Sequence, residues 1–148
     1  MELPHSPSCE RNQEPIYLVL KEYISAGTLF EVGSGTGQHA IYFAEKFKDL
    51  LWSTSDLKEN HAGIEAWIEQ SGLKNIKSPI EFQSGKSNWP SNDYDYVFSA
   101  NTLHIMSWDE ALILLQIIGE NLKSGAYVFF YGPFNYCCRL IDTSHRGL

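Results

Sequence analysis

The sequence has few cysteines, no long apolar run and no excess of positive charge, and each absence excludes a class of protein. The three cysteines, Cys9, Cys137 and Cys138, do not have the C-x-x-C spacing of a zinc or redox site. Lys and Arg number 11 against 18 Asp and Glu, and the net charge of −7 has the wrong sign for binding nucleic acid. We therefore expect no metal site, no disulfide framework and no nucleic-acid partner.

The sequence also lacks the signals of secretion and of membrane insertion. The N-terminus has Glu2, Pro4 and His5 where a signal peptide would have a cationic start and an apolar run. The longest apolar stretch, at residues 126–131, is far shorter than the roughly 20 residues that a bilayer span requires. We expect a soluble, cytoplasmic protein with no membrane partner. The length of 148 residues predicts one domain over residues 1–148, and its first twelve residues form a polar leader.

Hydrophobic periodicity divides the remainder into alternating helices and strands. Helical spacing follows Asn12, with Pro15 in the first turn, and recurs at residues 40–47, 64–72 and 107–123. Short apolar strands are predicted at residues 28–32, 52–55, 80–83, 94–100 and 126–131. This alternation predicts a doubly wound α/β fold, a mainly parallel sheet of about five strands with helices on both faces. The connection at residues 84–93 is short, and we expect it to cross the sheet with little helix.

The strongest chemical signal is the segment Glu31-Val32-Gly33-Ser34-Gly35-Thr36-Gly37, between the first strand and a helix. Glycine suits such a turn because it adopts positive φ and lets a ligand approach the backbone. A dinucleotide fingerprint would need glycine in place of Gln38, and the Walker pattern is also absent. Asp56 ends the next strand, where a carboxylate can accept hydrogen bonds from ribose, although alone it would suggest a helix cap or surface acid. The combination predicts a nucleoside without a diphosphate, and Glu31 suits a cationic group such as an ammonium.

These features resemble the class I S-adenosylmethionine-dependent methyltransferases. Residues 31–37 are similar to the family's first motif, Asp56 to its ribose-binding acid, and residues 93–98 to its fourth-strand motif. The resemblance covers residues 6–136 and implies a Rossmann-like fold, S-adenosylmethionine as cofactor and methyl transfer to a small molecule or a protein. Three further segments resemble the methyltransferase-like 26 proteins: residues 10–16, 99–105 and 131–136.

Two departures from the family pattern concern the adenine site and the end of the sheet. Gln83 and Ser84 replace the usual acid near the adenine, where an amide can still hydrogen-bond the base. An atypical tail at residues 137–148 replaces the sixth and seventh strands, so the expected fold lacks the C-terminal β-hairpin. The fifth strand would then be an exposed edge that favours self-association. Two alternatives therefore remain: an inactive form that binds the cofactor, and a protein-interaction module on the same scaffold.

The loop after the fourth strand is the predicted place for chemistry, because open α/β sheets bind ligands at the carboxyl ends of their strands. His104 is the candidate proton acceptor, or else a packed loop histidine bonded to backbone. Asn101 either contacts the methionine moiety or forms a turn. The predicted cofactor-binding residues are Glu31, Gly33, Ser34, Gly35, Gly37, Asp56, Gln83, Ser84 and Asn101. The predicted substrate-binding residues are Arg11 and Asn12, as a lid or a helix entry, and Tyr131, with Phe134 and Tyr136 as further walls. His39 and His61 are assigned to helix surfaces.

Overall fold

The computed structural model describes residues 2–133, which form four α-helices, five strands and two short 3-10 helices. The helices are α1 (Pro7–Leu20), α2 (Gln38–Lys46), α3 (His61–Ser71) and α4 (Trp108–Asn121). The strands are β1 (Gly27–Glu31), β2 (Leu50–Asp56), β3 (Ile76–Glu81), β4 (Tyr96–Ala100) and β5 (Tyr127–Tyr131). The 3-10 helices are Lys58–Asn60 and Leu103–Ile105. Phe134, Tyr136 and the tail at 137–148 lie outside the described residues.

All five strands are parallel and lie in the order β3-β2-β1-β4-β5. The predicted doubly wound sheet is confirmed. The first three strands are added outward from β1 in one direction, and β4 and β5 lie on the other side of β1. The connection from β3 to β4 therefore crosses β2 and β1, and it contains no helix, as predicted from its short length. The carboxyl ends of β1 and β4 are therefore adjacent at the point where the strand order reverses, which is where sheets of this kind bind ligands.

Two apolar clusters cover the two faces of the sheet. Neighbouring residues of a strand point to opposite faces, so Leu29 packs with α1 and α2 while Phe30 packs with α4. Phe98 and Val97 divide in the same way on β4. All four side chains are completely buried, and such burial contributes roughly 1.5–3 kcal/mol for each large apolar side chain. This double cover holds the strand ends in place beneath the loops that follow them.

Helix α1 and strand β3 both begin earlier than the sequence predicted. Helix α1 begins at Pro7, so the leader is shorter than residues 1–12, and Pro15 lies inside the helix instead of in its first turn. Pro7 occupies the first helical turn instead. Proline is tolerated there because a backbone N–H at this position would have no intrahelical acceptor. Strand β3 begins at Ile76 and includes Pro79. Proline is tolerated there because β3 is an edge strand with a register shift against β2.

Strand β5 forms the other edge of the described sheet. Tyr127, Val128 and Tyr131 are each more than a third exposed. The self-association proposed for this edge stays a prediction. Among residues 2–133, the helices lack the combination of length and apolar character needed to cross a bilayer.

Candidate functional site

The glycine turn between β1 and α2 has the backbone conformation that its sequence suggested. Gly33, Gly35 and Gly37 have φ angles of 73°, 57° and 92°. A Cβ atom on Gly33 would lie 2.5 Å from the Thr102 hydroxyl, so close packing requires glycine at this position. A Cβ on Gly35 would meet no atom within 4 Å, because this residue borders an open cavity. Packing against the protein therefore does not require glycine at position 35, whereas its positive φ favours it.

The cavity has a volume of about 680 Å³ and lies at the carboxyl ends of β1, β2 and β4. This volume is within the range of roughly 300–1,000 Å³ that is usual for small-molecule sites. Three acidic residues line the cavity, Glu31, Asp56 and Glu110, and its described lining has no Lys or Arg. Ten of the predicted site residues line it: Asn12, Glu31, Gly33, Ser34, Gly35, Asp56, Gln83, Ser84, Asn101 and His104.

Asp56 joins the end of β2 to the glycine turn. Its Oδ2 accepts a hydrogen bond of 2.7 Å from the backbone N–H of Gly35. Its Oδ1 accepts from the Leu57 backbone N–H at 2.7 Å and from the Asn60 side chain at 2.8 Å. A carboxylate has about four acceptor positions, so three bonds leave one for a ligand. Asp56 is 9% exposed and lines the cavity, so it is not a surface acid.

Glu31 is almost completely buried at the end of β1, where it also lines the cavity. Its Oε2 accepts hydrogen bonds of 2.9 Å from the Ser34 hydroxyl and from the Trp52 indole. Burial raises the pKa of Glu31 to about 7, and the nearby Asp56 charge adds to this effect. The two donors to Oε2 oppose the shift but do not cancel it. Both identified bonds use one oxygen, which leaves Oε1 for another partner.

The hydroxyls of Ser34 and Ser84 are already committed to the protein. Ser34 donates to Glu31 and accepts from the Ser55 backbone N–H at 3.0 Å. Ser84 donates to the backbone carbonyl of Glu110 at 2.7 Å, which ties the end of β3 to α4. These two predicted cofactor-binding residues therefore position the walls of the cavity through their side chains.

The loop after β4 carries Asn101 and His104. Asn101 has a φ of 58°, and its N–H donates to the Tyr131 carbonyl at 2.7 Å. It therefore forms a turn and lines the cavity at the same time. His104 is exposed at the cavity and makes no hydrogen bond with the described part of the chain. The alternative of a packed histidine bonded to backbone does not describe this geometry.

Three predicted site residues lie outside the cavity lining: Arg11, Gly37 and Tyr131. Arg11 is exposed on α1 and donates to Ser8 at 3.3 Å. Gly37 caps the N-terminus of α2, with its N–H donating to the Ser34 carbonyl at 2.9 Å. Tyr131 is 38% exposed at the end of β5, and only its backbone carbonyl meets the loop after β4.

The assignment of His39 and His61 to helix surfaces is wrong. His39 is 4% exposed and lines the cavity, and its Nε2 lies 3.3 Å from the Cys9 carbonyl. Burial lowers the pKa of His39. His61 is 6% exposed, with its Nε2 3.1 Å from the backbone carbonyl of Asp56. The spacing of His39 with buried Phe43 was the available signal, since residues i and i+4 share one helix face.

The first turn of α1 is a part of the cavity that sequence reasoning missed. Ser6, Ser8 and Cys9 line it. The Ser6 backbone N–H donates to the Gln38 side chain at 2.5 Å, and the preceding Pro4 carbonyl accepts from Trp67 at 2.8 Å. The N-terminal segment is therefore fastened to α2 and α3 on one side of the cavity.

Comparison with known proteins places the chain in a family. Residues 3–147 match the family model described as "Protein of unknown function (DUF938)". The chain belongs to the DUF938 family. This DUF938 chain is 30% identical over 125 residues to a ribosomal RNA small subunit methyltransferase G of Thermotoga petrophila, a match that covers 83% of the chain and 52% of that protein. The chain thus spans about half the length of the curated relatives it matches.

Solved structures share the fold of this DUF938 chain. The apo form of the S-adenosylmethionine-dependent methyltransferase SibL has a TM-score of 0.75 and 20% identity, with 85% of this chain and 36% of SibL covered. A SAM-dependent methyltransferase from Aquifex aeolicus has a TM-score of 0.71 and 23% identity, with 84% of this chain and 66% of that chain covered. The fold is therefore that of the S-adenosylmethionine-dependent methyltransferases. The finer resemblance to the methyltransferase-like 26 proteins stays a prediction.

The raised pKa of Glu31 predicts a pH-dependent stability. Between pH 4.5, the ordinary pKa, and about 7, the folded protein keeps a proton on Glu31 that the unfolded chain has lost. The free energy of unfolding should therefore fall as pH rises through this window, by a contribution on the order of 3 kcal/mol. Glu31→Gln should remove that contribution in urea unfolding measured across the pH range. Glu81→Gln, at an exposed position on β3, is the control and should leave the slope as in the wild type. If the free energy of unfolding of Glu31→Gln changed with pH in parallel with that of the wild type, the raised pKa of Glu31 would be contradicted.

Proposed function

We propose that this chain binds S-adenosylmethionine in the cavity and transfers its methyl group to a small-molecule or protein acceptor. One observation carries the proposal: the open backbone at Gly35 and the Asp56 carboxylate meet at one cavity, where the strand order reverses. The shared fold supports it, as do the methyltransferase activities for which the Thermotoga and Aquifex proteins are named.

The residues present fit this cofactor. The space beside Gly35 admits a ligand against the backbone, since a Cβ there would meet no protein atom. The remaining acceptor position of Asp56 suits a ribose hydroxyl. Glu31 Oε1 suits the ammonium of the methionine moiety, because the hydrogen bonds from Ser34 and Trp52 both go to the other carboxylate oxygen, Oε2. Gln83 suits the adenine edge, and Asn101 suits the methionine end.

The charge of the cavity also supports this ligand. S-adenosylmethionine carries a sulfonium and an ammonium, and the cavity offers three acidic side chains with no Lys or Arg in its described lining. A negative cavity with low-dielectric walls attracts a cation. The same charges disfavour a ligand with a diphosphate, in agreement with the absence of a third glycine at Gln38.

When bound, the cofactor would supply a sulfonium-activated methyl group for transfer to an acceptor lone pair, with the carbon–sulfur electron pair remaining on the leaving sulfur. The main task of the protein is to hold the acceptor in line and to exclude water. His104, exposed at the cavity in the loop after β4, accepts the proton that an acceptor hydroxyl loses. Asn12 on α1 borders the cavity and contributes to its closure. Arg11 and Tyr131 are left out of the proposed site because they do not line the cavity.

Ribosomal RNA is the second candidate acceptor, since the Thermotoga relative is a ribosomal RNA methyltransferase. The net charge of −7 and the acidic lining weigh against it.

A protein that binds the cofactor without turnover is distinguished by measuring cofactor binding and methyl transfer separately. Calorimetry tests binding, and transfer of a labelled methyl group into cell extract tests turnover.

Gly35→Ala should weaken S-adenosylmethionine binding at least tenfold in calorimetry, because its Cβ would occupy the space beside the ligand. Gly72→Ala is a matched control. Gly72 also has positive φ, 65° against 57°, and open space around its Cβ, but it does not line the cavity. Both variants should lose about 1–2 kcal/mol of stability from backbone strain. Equal affinities in the two variants would contradict the proposed position of the cofactor.

Asp56→Ala should weaken S-adenosylmethionine binding by roughly 1.5–3 kcal/mol, since it removes a charge-assisted hydrogen bond to ribose. Glu59→Ala, at a neighbouring exposed position, changes the net charge equally and should bind as the wild type does. Calorimetry on both variants, after circular dichroism has shown that they are folded, provides the test. Unchanged affinity in Asp56→Ala would remove ribose binding from the role of this residue.

A further inference from the structure

Two large apolar side chains are exposed in residues 105–110, a segment that contributes Ile105, Met106 and Glu110 to the cavity lining. Ile105 is 77% exposed and Trp108 is 76% exposed, the two highest values among the exposed large hydrophobic residues of the described chain. Ile105 also lines the cavity. Trp108 opens α4 three residues later, and Glu110, in the same first helical turn, lines the cavity too. We call Ile105 and Trp108 the apolar rim.

Within residues 2–133, the packing of the fold does not account for the apolar rim. Helix α4 is held to the sheet by Leu114 and Ile118, and its start is fixed by the capping box of Ser107 and Glu110. Neither Ile105 nor Trp108 belongs to the two apolar clusters of the core. A tryptophan can bury about 150–250 Å² when it is covered. Exposed apolar side chains surrounded by polar ones at a pocket mark a binding surface.

The charges around the rim restrict what binds there. The described lining contains Glu31, Asp56 and Glu110 and no Lys or Arg. A phosphate ester at the mouth would meet carboxylates without a cation to compensate them, so an anionic acceptor is disfavoured. A neutral acceptor avoids this repulsion and gains from contact with an indole and an aliphatic side chain.

We propose that the apolar rim, Ile105 and Trp108, is the acceptor-binding surface, and that the acceptor is a neutral aromatic small molecule carrying a hydroxyl. This inference rests on the proposed function, since it identifies the class of acceptor for that site. The ring of the acceptor lies on the rim, and its hydroxyl is directed towards His104. His104 immediately precedes Ile105 in the sequence and borders the same cavity.

The test uses two probes that share the naphthalene ring: 2-naphthol, which is neutral with a free hydroxyl, and 2-naphthyl phosphate, which is anionic and lacks that hydroxyl. Each is titrated calorimetrically into the chain with and without saturating S-adenosylhomocysteine. 2-Naphthol should bind at least tenfold more tightly than its phosphate ester. Trp108→Ala and Ile105→Ala should each weaken 2-naphthol binding by at least about fivefold, and in Trp108→Ala, which does not line the cavity, S-adenosylhomocysteine binding should stay as in the wild type. Leu18→Ala is the control, because Leu18 is an exposed apolar residue on α1 outside the lining.

Several outcomes would overturn the inference. These are tighter binding of 2-naphthyl phosphate or of a short RNA oligonucleotide, or 2-naphthol affinities that are equal in the wild type and Trp108→Ala. Failure of the proposed function gives a different result, because S-adenosylhomocysteine would then not bind while the rim variants could still lower 2-naphthol affinity. The rim residues are exposed, so the variants should remain folded, and their circular dichroism spectra check this.

Discussion

The hydrogen bond from the Gly35 backbone N–H to Asp56 connects the two halves of the site. It joins the glycine turn after β1 to the end of β2, and the second oxygen of Asp56 holds the start of the segment that leads into α3. The bond forms only because parallel strands bring their carboxyl ends to one edge of the sheet, and because Gly35 adopts positive φ. Gly35 borders the cavity, and a Cβ at this position would meet no protein atom within 4 Å. The shape of the cavity thus follows from a few backbone constraints.

Burial of polar groups around this bond has a cost that the protein offsets only in part. Glu31 receives two hydrogen bonds on one oxygen, yet burial still raises its pKa to about 7. Burial lowers the pKa of His39, and the Cys9 carbonyl opposes that shift. Such groups cluster at functional sites because a ligand completes interactions that the protein leaves open. In the proposed function, the cofactor's ammonium is the partner that Glu31 lacks.

Much of the fold could be predicted from the sequence because its signals are local. Alternating periodicity gave the sequence of strands and helices, and the glycine turn and Asp56 could be placed together because parallel strands end at one edge. The boundary of α1 and the position of Pro79 in β3 could not be predicted in this way. Both depend on tertiary context: α1 packs on α2, and β3 lies at the edge of the sheet. The burial of His39 depends on the same packing, since Cys9 on α1 covers its ring nitrogen. Arg11 illustrates the same dependence on packing. The way α1 packs on α2 decides which face of α1 borders the cavity, and Arg11 lies on an exposed face outside the lining.

The most direct test of the account follows the backbone amides of the 11 glycines in a ¹⁵N-labelled chain by NMR as S-adenosylmethionine is added. The account predicts that the resonances of Gly33 and Gly35 shift in a saturable manner, while Gly72 and Gly119, which do not line the cavity, keep their positions. Resonances of Gly33 and Gly35 that stay unchanged while the rest of the spectrum responds, or a spectrum that does not respond at all, would contradict it.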